Sequence, residues 1–145
     1  QYNQLTTFKQ YIMRDIKYII LHCTATSQDT KVENIVKYWK ERLGWKNPGY
    51  HFIIDVYGNV TQLQPISKPS NGVKGYNSNS INISYIGGKD IDDRSLMQVI
   101  AQESIVKTLH AIYPDAEILG HCDFPNVSKS CPRFDVKEWV KSIKL

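Results

Sequence analysis

The sequence has few cysteines, no long apolar run and no block of charge of one sign. Three cysteines among 145 residues, Cys23, Cys122 and Cys131, are too few for a framework of several disulfides. This small, odd number favours thiol or metal chemistry for at least one of them. A domain of 145 residues buries roughly two thirds of the surface that its unfolded chain exposes, so the fold needs no disulfide. We expect residues 1–145 to form a single domain, with residues 1–15 as an N-terminal extension of it.

The absence of charge clusters and of long apolar runs limits the binding partners that we expect for this protein. The net charge of +4 comes from basic residues scattered among acidic ones, which argues against nucleic acid and is compatible with a negatively charged cell wall. No stretch approaches the roughly 20 apolar residues of a membrane span, so we expect no membrane partner. We also expect a monomer. A start at Gln1 rather than Met is consistent with removal of an N-terminal segment such as a signal peptide.

The order of strand and helix patterns predicts an α/β fold. Short β-rich apolar runs alternate with segments whose apolar residues recur at helical spacing. A tight Gly/Asn turn joins two of the strands, and Gly44 is expected to cap the first helix. The predicted elements are strand 17–22, helix 32–43, hairpin strands 50–56 and 60–63, strand 81–86, helix 94–113, strand 117–119 and a helix from residue 136. One side of the predicted helix 94–113 carries the apolar residues Leu96, Val99, Ile100, Val106 and Leu109. We therefore predict one α/β domain with a central mixed β-sheet flanked by helices.

Two segments of the sequence are candidates for function. Residues 65–80 are rich in Pro, Gly, Ser and Asn, which predicts a surface loop of the kind that carries binding groups. His22 and His121 each stand where a predicted strand gives way to a loop, and Cys131 follows ten residues after His121. Two histidines and a cysteine can bind zinc and leave a fourth position for water. The spacing alone leaves two interpretations open, a zinc site or hydrogen-bonded histidines with a buried cysteine.

Several motifs in order along the chain resemble those of the N-acetylmuramoyl-L-alanine amidases of the bacteriophage-lysozyme type, which are relatives of the peptidoglycan recognition proteins. The resemblance runs from about Tyr18 to the last helix. The motifs are Leu21-His-Cys-Thr-Ala-Thr26, Gly49-Tyr-His-Phe-Ile-Ile54, Lys74-Gly-Tyr-Asn77 with Asn79-Ser-Ile81, Gly87-Gly88, and Lys129-Ser-Cys-Pro-Arg-Phe-Asp135.

The resemblance implies a function and a set of site residues. It implies a zinc-dependent amidase that cuts the bond between N-acetylmuramoyl and L-alanine in bacterial peptidoglycan, with the zinc site at strand ends. Zinc would be bound by His22, His121 and Cys131, and Tyr50 and Lys129 would assist catalysis. The substrate groove would be lined by the loop that carries Lys74, Tyr76, Asn77 and Asn79.

Each assisting residue also has an ordinary structural interpretation. Tyr50 could be a buried strand aromatic, and Lys129 a solvated loop lysine. His51 follows Tyr50, so on a strand the two side chains point to opposite faces and only one can face a metal. We interpret His51 as structural, and His110, on the second predicted helix, as a core or surface residue.

The chain departs from the family pattern at a few positions. Phage relatives tend to carry a histidine just before Lys-Gly-Tyr-Asn, where this chain has Asn71-Gly72. Residues 123–128 form a longer insert that would reshape the rim of the groove. Cys23 belongs to the shared motif and is expected to be a packed thiol. Cys122 departs from the pattern, since many relatives carry a charged residue after the histidine that matches His121. It could crowd the zinc or pair with another thiol, and we interpret it as a buried bystander.

Two alternative functions follow from the same residues. A peptidoglycan-binding module would recognise the wall without cutting it, and loss of the ligand cysteine marks many such proteins, whereas Cys131 is present. A regulatory protein with a structural zinc would need a fourth protein ligand, which Cys23 or Cys122 could supply.

Overall fold

The computed structural model describes residues 14–145, so most of the predicted extension 1–15 lies outside the described residues. The elements, in chain order, are β1 (Tyr18–Cys23), α1 (Val32–Glu41), β2 (Phe52–Ile54), β3 (Val60–Gln62), β4 (Ser80–Tyr85), α2 (Leu96–Ile112), β5 (Glu117–Gly120) and α3 (Val136–Ile143). Short 3₁₀ turns cover Asn77–Asn79 and His121–Asp123. The predicted order of strands and helices is confirmed, as is the α/β class.

The five strands form one mixed sheet in the order β3-β2-β4-β1-β5. Strands β2, β4, β1 and β5 run parallel, and β3 pairs antiparallel with β2 to form the predicted hairpin. In the register of β1 with β4, Ile20 lies beside Asn82 and His22 beside Ser84. Paired residues on neighbouring strands project to the same face, so these four side chains share one side of the sheet.

The two faces of the sheet are covered differently. Ile19, Leu21 and Ile83 pack with residues of α2 and α3 into the main core. On the other face, Trp39 of α1 packs against Ile53. Beside α1, loop residues Val73 and Phe124 cover Ile20. The polar side chains of β1 and β4 therefore point towards a face that loops cover.

The first helix is shorter than its apolar pattern predicted. α1 ends at Glu41 with Arg42 as its C-cap, so the predicted cap Gly44 lies beyond the helix. Gly44 has a φ of +66°, which glycine adopts without steric cost, and it turns the chain after the helix has ended.

The buried side of α2 also differs from the apolar pattern. Leu96 and Ile100, predicted on one side with Val106 and Leu109, are 74% and 53% exposed. The first half of the helix instead buries Gln98, whose Nε2 donates hydrogen bonds to the carbonyls of Ile54 and Ile86. Gln98 thus satisfies backbone groups at strand ends, which an apolar side chain cannot do. Within residues 14–145, no helix combines the length and apolarity needed to cross a bilayer.

Candidate metal centre

The three predicted metal ligands meet at one edge of the sheet. His22 stands near the end of β1, His121 directly follows β5, and Cys131 lies on the loop before α3. Because β1 and β5 are parallel neighbours, their carboxyl ends deliver the two histidines to the same edge. The candidate ligand atoms of His22, His121 and Cys131 all lie within 4.8 Å of one another.

His22 is buried and held in one orientation. Only 1% of the residue is exposed, and its Nε2 lies 2.8 Å from Oδ1 of Asn82. Burial, followed by the nearby charge of His121, lowers the pKa of His22 to about 3. Burial and then the charge of Lys129 also lower the pKa of His121. Both imidazoles are therefore neutral at physiological pH, which is the form that binds metals.

Asn82 is absent from the sequence-based predictions, although one signal marks it. Ser80, Asn82 and Ser84 alternate with apolar residues in β4, a strand that is buried along its whole length. Most buried polar side chains are hydrogen-bonded, so this alternation indicates polar partners on one face of the sheet, which Asn82 finds in His22 and Ser70.

The Cys131 loop is fixed by bonds to the ends of β1 and β4. The backbone N–H of Cys23 donates to Sγ of Cys131 at 3.1 Å, and the Tyr85 hydroxyl donates to the carbonyl of Pro132 at 2.8 Å. Arg133 Nε donates to the carbonyl of Gly88 at 3.1 Å. A Cβ on Gly88 would lie 2.6 Å from Cβ of Cys23 and 2.8 Å from the Tyr85 hydroxyl, so only glycine allows this packing. The thiol is thereby held against β1 before any metal binds.

Tyr50 and Lys129 lie near the candidate ligands, Tyr50 beside His22 and Lys129 on the cavity wall with His121. The rings of Tyr50 and His22 have centroids 5.1 Å apart, and the Tyr50 hydroxyl donates to the carbonyl of Cys23 at 3.3 Å. Burial, followed by the negative charge of Cys131, raises the pKa of Tyr50 above its ordinary value. Tyr50 is therefore a hydrogen-bond donor rather than a base. Lys129 is exposed, and its charge disfavours protonation of both His22 and His121.

His121 lines an open cavity of about 790 Å³. Three of the predicted substrate-binding residues, Lys74, Tyr76 and Asn77, line it. Asn79 does not line the cavity, and its Nδ2 donates to the carbonyl of Asp15. The other lining residues, including several that the sequence-based predictions omit, are Trp45, Asn71, Gly72, Val73, Pro125, Asn126, Val127, Ser128 and Lys129.

The neighbouring cysteines and histidines take different places. Cys23 is buried, as predicted, whereas Cys122 is exposed, so its interpretation as a buried bystander was wrong. The turn at His121–Asp123 directs the Cys122 side chain outwards, while its N–H bonds to the carbonyl of Cys131. His51 is fully buried and bonded to Ser70, and His110 is half-buried on α2.

The group of possible ligands has three members within the part of the chain that the structure describes. Neither Cys23 nor Cys122 belongs to it. A structural zinc site needs a fourth protein ligand, so the arrangement has the ligand number of a catalytic site.

Comparison with known proteins places these features in a family. Residues 12–134 match the family described as N-acetylmuramoyl-L-alanine amidase. The endolysin of Escherichia phage T7 is 36% identical over 147 residues, covering 95% of this chain and 93% of that protein. The endolysin of Enterobacteria phage K11 is 33% identical, covering 91% of this chain and 90% of that protein.

A solved structure shows the same fold. The endolysin and N-acetylmuramoyl-L-alanine amidase LysCS of Clostridium intestinale URNW superposes with a TM-score of 0.78 at 22% identity, over 91% of this chain and 84% of that one. The family match spans most of the sequence, and the phage relatives cover nearly all of it. The chain belongs to the N-acetylmuramoyl-L-alanine amidase family.

Proposed function

We propose that this protein is a zinc-dependent amidase that hydrolyses the bond between N-acetylmuramoyl and L-alanine in bacterial peptidoglycan. The observation that carries the proposal is the meeting of His22, His121 and Cys131 within 4.8 Å beside an open cavity, in a chain of this family. The substrate is an amide buried in a large polymer, and an open cavity suits it better than a closed pocket.

The donor set fits zinc. Two imidazoles and a thiolate are ligands that zinc prefers, and a tetrahedral ion about 2.0–2.3 Å from each ligand holds the donor atoms roughly 3.5 Å apart. The upper limit of 4.8 Å leaves only a small adjustment of the side chains. Bound there, zinc supplies a Lewis acid and a water molecule of lowered pKa.

Lys129 is proposed to stabilise the charge that develops on the amide oxygen. It lines the cavity together with His121 and carries a positive charge next to the ligand set. A cation placed where an oxyanion forms lowers the barrier of the reaction more than it strengthens substrate binding.

Tyr50 is proposed to donate a hydrogen bond to the reacting group. Its raised pKa keeps the hydroxyl protonated, so it is unsuited to accept the proton of the attacking water. The hydroxyl now bonds the Cys23 carbonyl at 3.3 Å, a long hydrogen bond that can be exchanged for one to substrate.

The loop of Lys74, Tyr76 and Asn77 is proposed to hold the substrate, with different residues in different roles. Lys74 is exposed at the cavity and can pair with carboxylates of the stem peptide. Oδ1 of Asn77 accepts from the N–H groups of Gly72 and Val73, so it shapes the loop. Asn79 would act only by tying the loop to residue Asp15, since its amide is engaged there.

The decisive experiment is to incubate the purified protein with muropeptides and to measure free stem peptide by mass spectrometry. We expect release from zinc-loaded protein, loss of release after chelation, and recovery when zinc is restored. A zinc-loaded protein that binds muropeptides but releases no peptide would contradict the proposal and favour a binding module.

A further inference from the structure

Behind the metal centre, four buried side chains form a continuous hydrogen-bonded chain. Nε2 of His22 lies 2.8 Å from Oδ1 of Asn82, and Nδ2 of Asn82 donates to Oγ of Ser70 at 2.8 Å. Oγ of Ser70 lies 3.0 Å from Nδ1 of His51. His22 is 1% exposed, and Asn82, Ser70 and His51 are 0% exposed. Water does not compete for these bonds, so the chain has one low-energy pattern of protons.

At the His51 end of this chain, a backbone N–H fixes which nitrogen carries the hydrogen. The N–H of Asn82 donates to Nδ1 of His51 at 3.0 Å, so Nδ1 cannot carry a hydrogen. The hydrogen of the neutral His51 ring is then on Nε2, which lies 2.7 Å from the carbonyl of Lys68 and donates to it. A backbone N–H cannot reverse its direction, so it fixes the tautomer of His51.

The tautomer of His51 determines the direction of each remaining hydrogen bond, from Ser70 through Asn82 to His22. Since Nδ1 of His51 is an acceptor, the Ser70 hydroxyl donates to it and accepts from Nδ2 of Asn82. The amide of Asn82 must therefore present its oxygen to Nε2 of His22. Nε2 of His22 carries the hydrogen, and Nδ1 keeps its lone pair for the metal.

The path of the loop over β4 makes room for the Asn82 side chain. A Cβ on Gly72 would lie 2.1 Å from Oδ1 and 2.5 Å from Nδ2 of Asn82, well inside contact distance. Any other residue at position 72 would displace the amide from His22. Ser70 and Gly72 therefore both position the Asn82 side chain, Ser70 by accepting its hydrogen bond and Gly72 by leaving space for its amide.

We infer that Asn82 is a positioning residue for the metal centre, which with Ser70 and His51 holds His22 in the Nε2–H tautomer so that Nδ1 binds the metal. The inference rests on the proposed function for the identity of that metal as zinc. Loss of such an outer partner typically lowers metal affinity about 10- to 100-fold.

The test measures zinc affinity by competition with a chromophoric chelator, so that no substrate is required. We expect Asn82→Leu to raise the Kd for zinc about 10- to 100-fold, because it removes the acceptor while keeping a similar volume. Asn82→Asp keeps an oxygen facing Nε2 and should stay close to wild type. Gly72→Ala should weaken zinc binding as well, although it changes no polar group.

Ser80→Ala is the matched control. Ser80 is fully buried on the same strand, and its hydroxyl has no hydrogen-bond partner among the described residues. Its loss should leave the zinc Kd within about twofold of wild type. An equal loss of affinity in Ser80→Ala and Asn82→Leu would assign the effect to packing and overturn the inference.

A second readout uses the zinc-free wild-type protein and does not depend on any variant folding. The ¹⁵N chemical shifts of the imidazoles report which nitrogen carries the hydrogen, and we expect the Nε2–H form for both His22 and His51. A His22 ring in the Nδ1–H form, or an Asn82→Leu protein with unchanged zinc Kd, would overturn the inference. Wild-type protein that binds zinc with these features but releases no stem peptide would contradict the proposed function alone.

Discussion

The candidate metal centre has two sides that are built differently. On the sheet side, His22 lies in a buried network with Asn82 and His51, in which Nε2 of His22, the Asn82 amide and both ring nitrogens of His51 have hydrogen-bond partners. On the rim side, His121 is half-buried, and the neighbouring residues 125–130 are largely exposed. A buried polar network resists change because breaking one bond leaves an uncompensated polar group.

We expect the two sides to have different roles, with the sheet side positioning the metal and the rim side taking part in the chemistry. The sheet side prearranges one ligand at a fixed angle, while the rim side combines a ligand with the cavity wall and Lys129. Substitutions on the sheet side should therefore affect metal affinity and folding together. Substitutions on the rim should affect chemistry with little change in stability.

The largest effect on zinc binding and activity is expected for substitution of Cys131, the third candidate ligand. Cys131→Ala removes one of three ligands, so the protein should lose bound zinc and peptide release should fall below detection. Zinc content by elemental analysis and a muropeptide assay measure the two losses. Cys122→Ala is the matched control, because this thiol is exposed and lies outside the ligand group. Zinc retention in Cys131→Ala would show that the ligand set is wrong.

A smaller effect, confined to chemistry, is expected on the rim. Lys129→Ala should keep zinc and its melting temperature, because the side chain is exposed, and lose roughly 100- to 1000-fold in kcat, as expected for a group that stabilises an oxyanion. Lys137→Ala, another exposed lysine, should match wild type. Zinc loss in Lys129→Ala equal to that in Cys131→Ala would remove the distinction between rim and ligand.

The third expectation concerns the pH dependence of folding on the sheet side. Burial lowers the pKa of His51 to about 4, against a hydrogen bond to Lys68 that favours the charged form. The unfolded state, with a histidine pKa near 6.5, therefore binds more protons at acidic pH. The contribution of His51 to stability is complete above about pH 6.5 and is lost as the pH falls towards 4.

Urea unfolding of the zinc-free protein between pH 4 and 7.5 measures the combined loss from His22, His51 and His121, whose pKa values are all lowered. The difference between wild type and His51→Gln isolates the contribution of His51, which amounts to roughly 3 kcal/mol for a shift of this size. His51→Gln should be less stable at neutral pH and should show a shallower dependence on pH. Equal slopes in the two proteins would mean that His51 does not stay neutral when folded.

Sequence patterns predicted the order of the elements because each pattern is local. The apolar runs of β1 and β4 and the hairpin turn at Gly58 are confirmed by the sheet. The predicted side of α2 was wrong at Leu96 and Ile100, because helical spacing does not reveal that strand-end carbonyls need the amide of Gln98.

The candidate site also has features that the sequence predicted and features that only the fold determines. The motifs brought His22, His121 and Cys131 to attention, and the structure places them together. The catalytic roles of Tyr50 and Lys129 and the substrate contacts remain predictions. The exposure of Cys122 depends on how one short turn leaves β5, which residue type does not encode.

The sequence by itself determined the family, the α/β class and the candidate ligands, since these follow from ordered motifs and local periodicity. Only the tertiary structure decided which nitrogen of His22 is left free to bind a metal. That choice depends on a backbone N–H of β4, on a serine in the loop above it and on the space left by Gly72, which are close together only after the loop folds over the sheet.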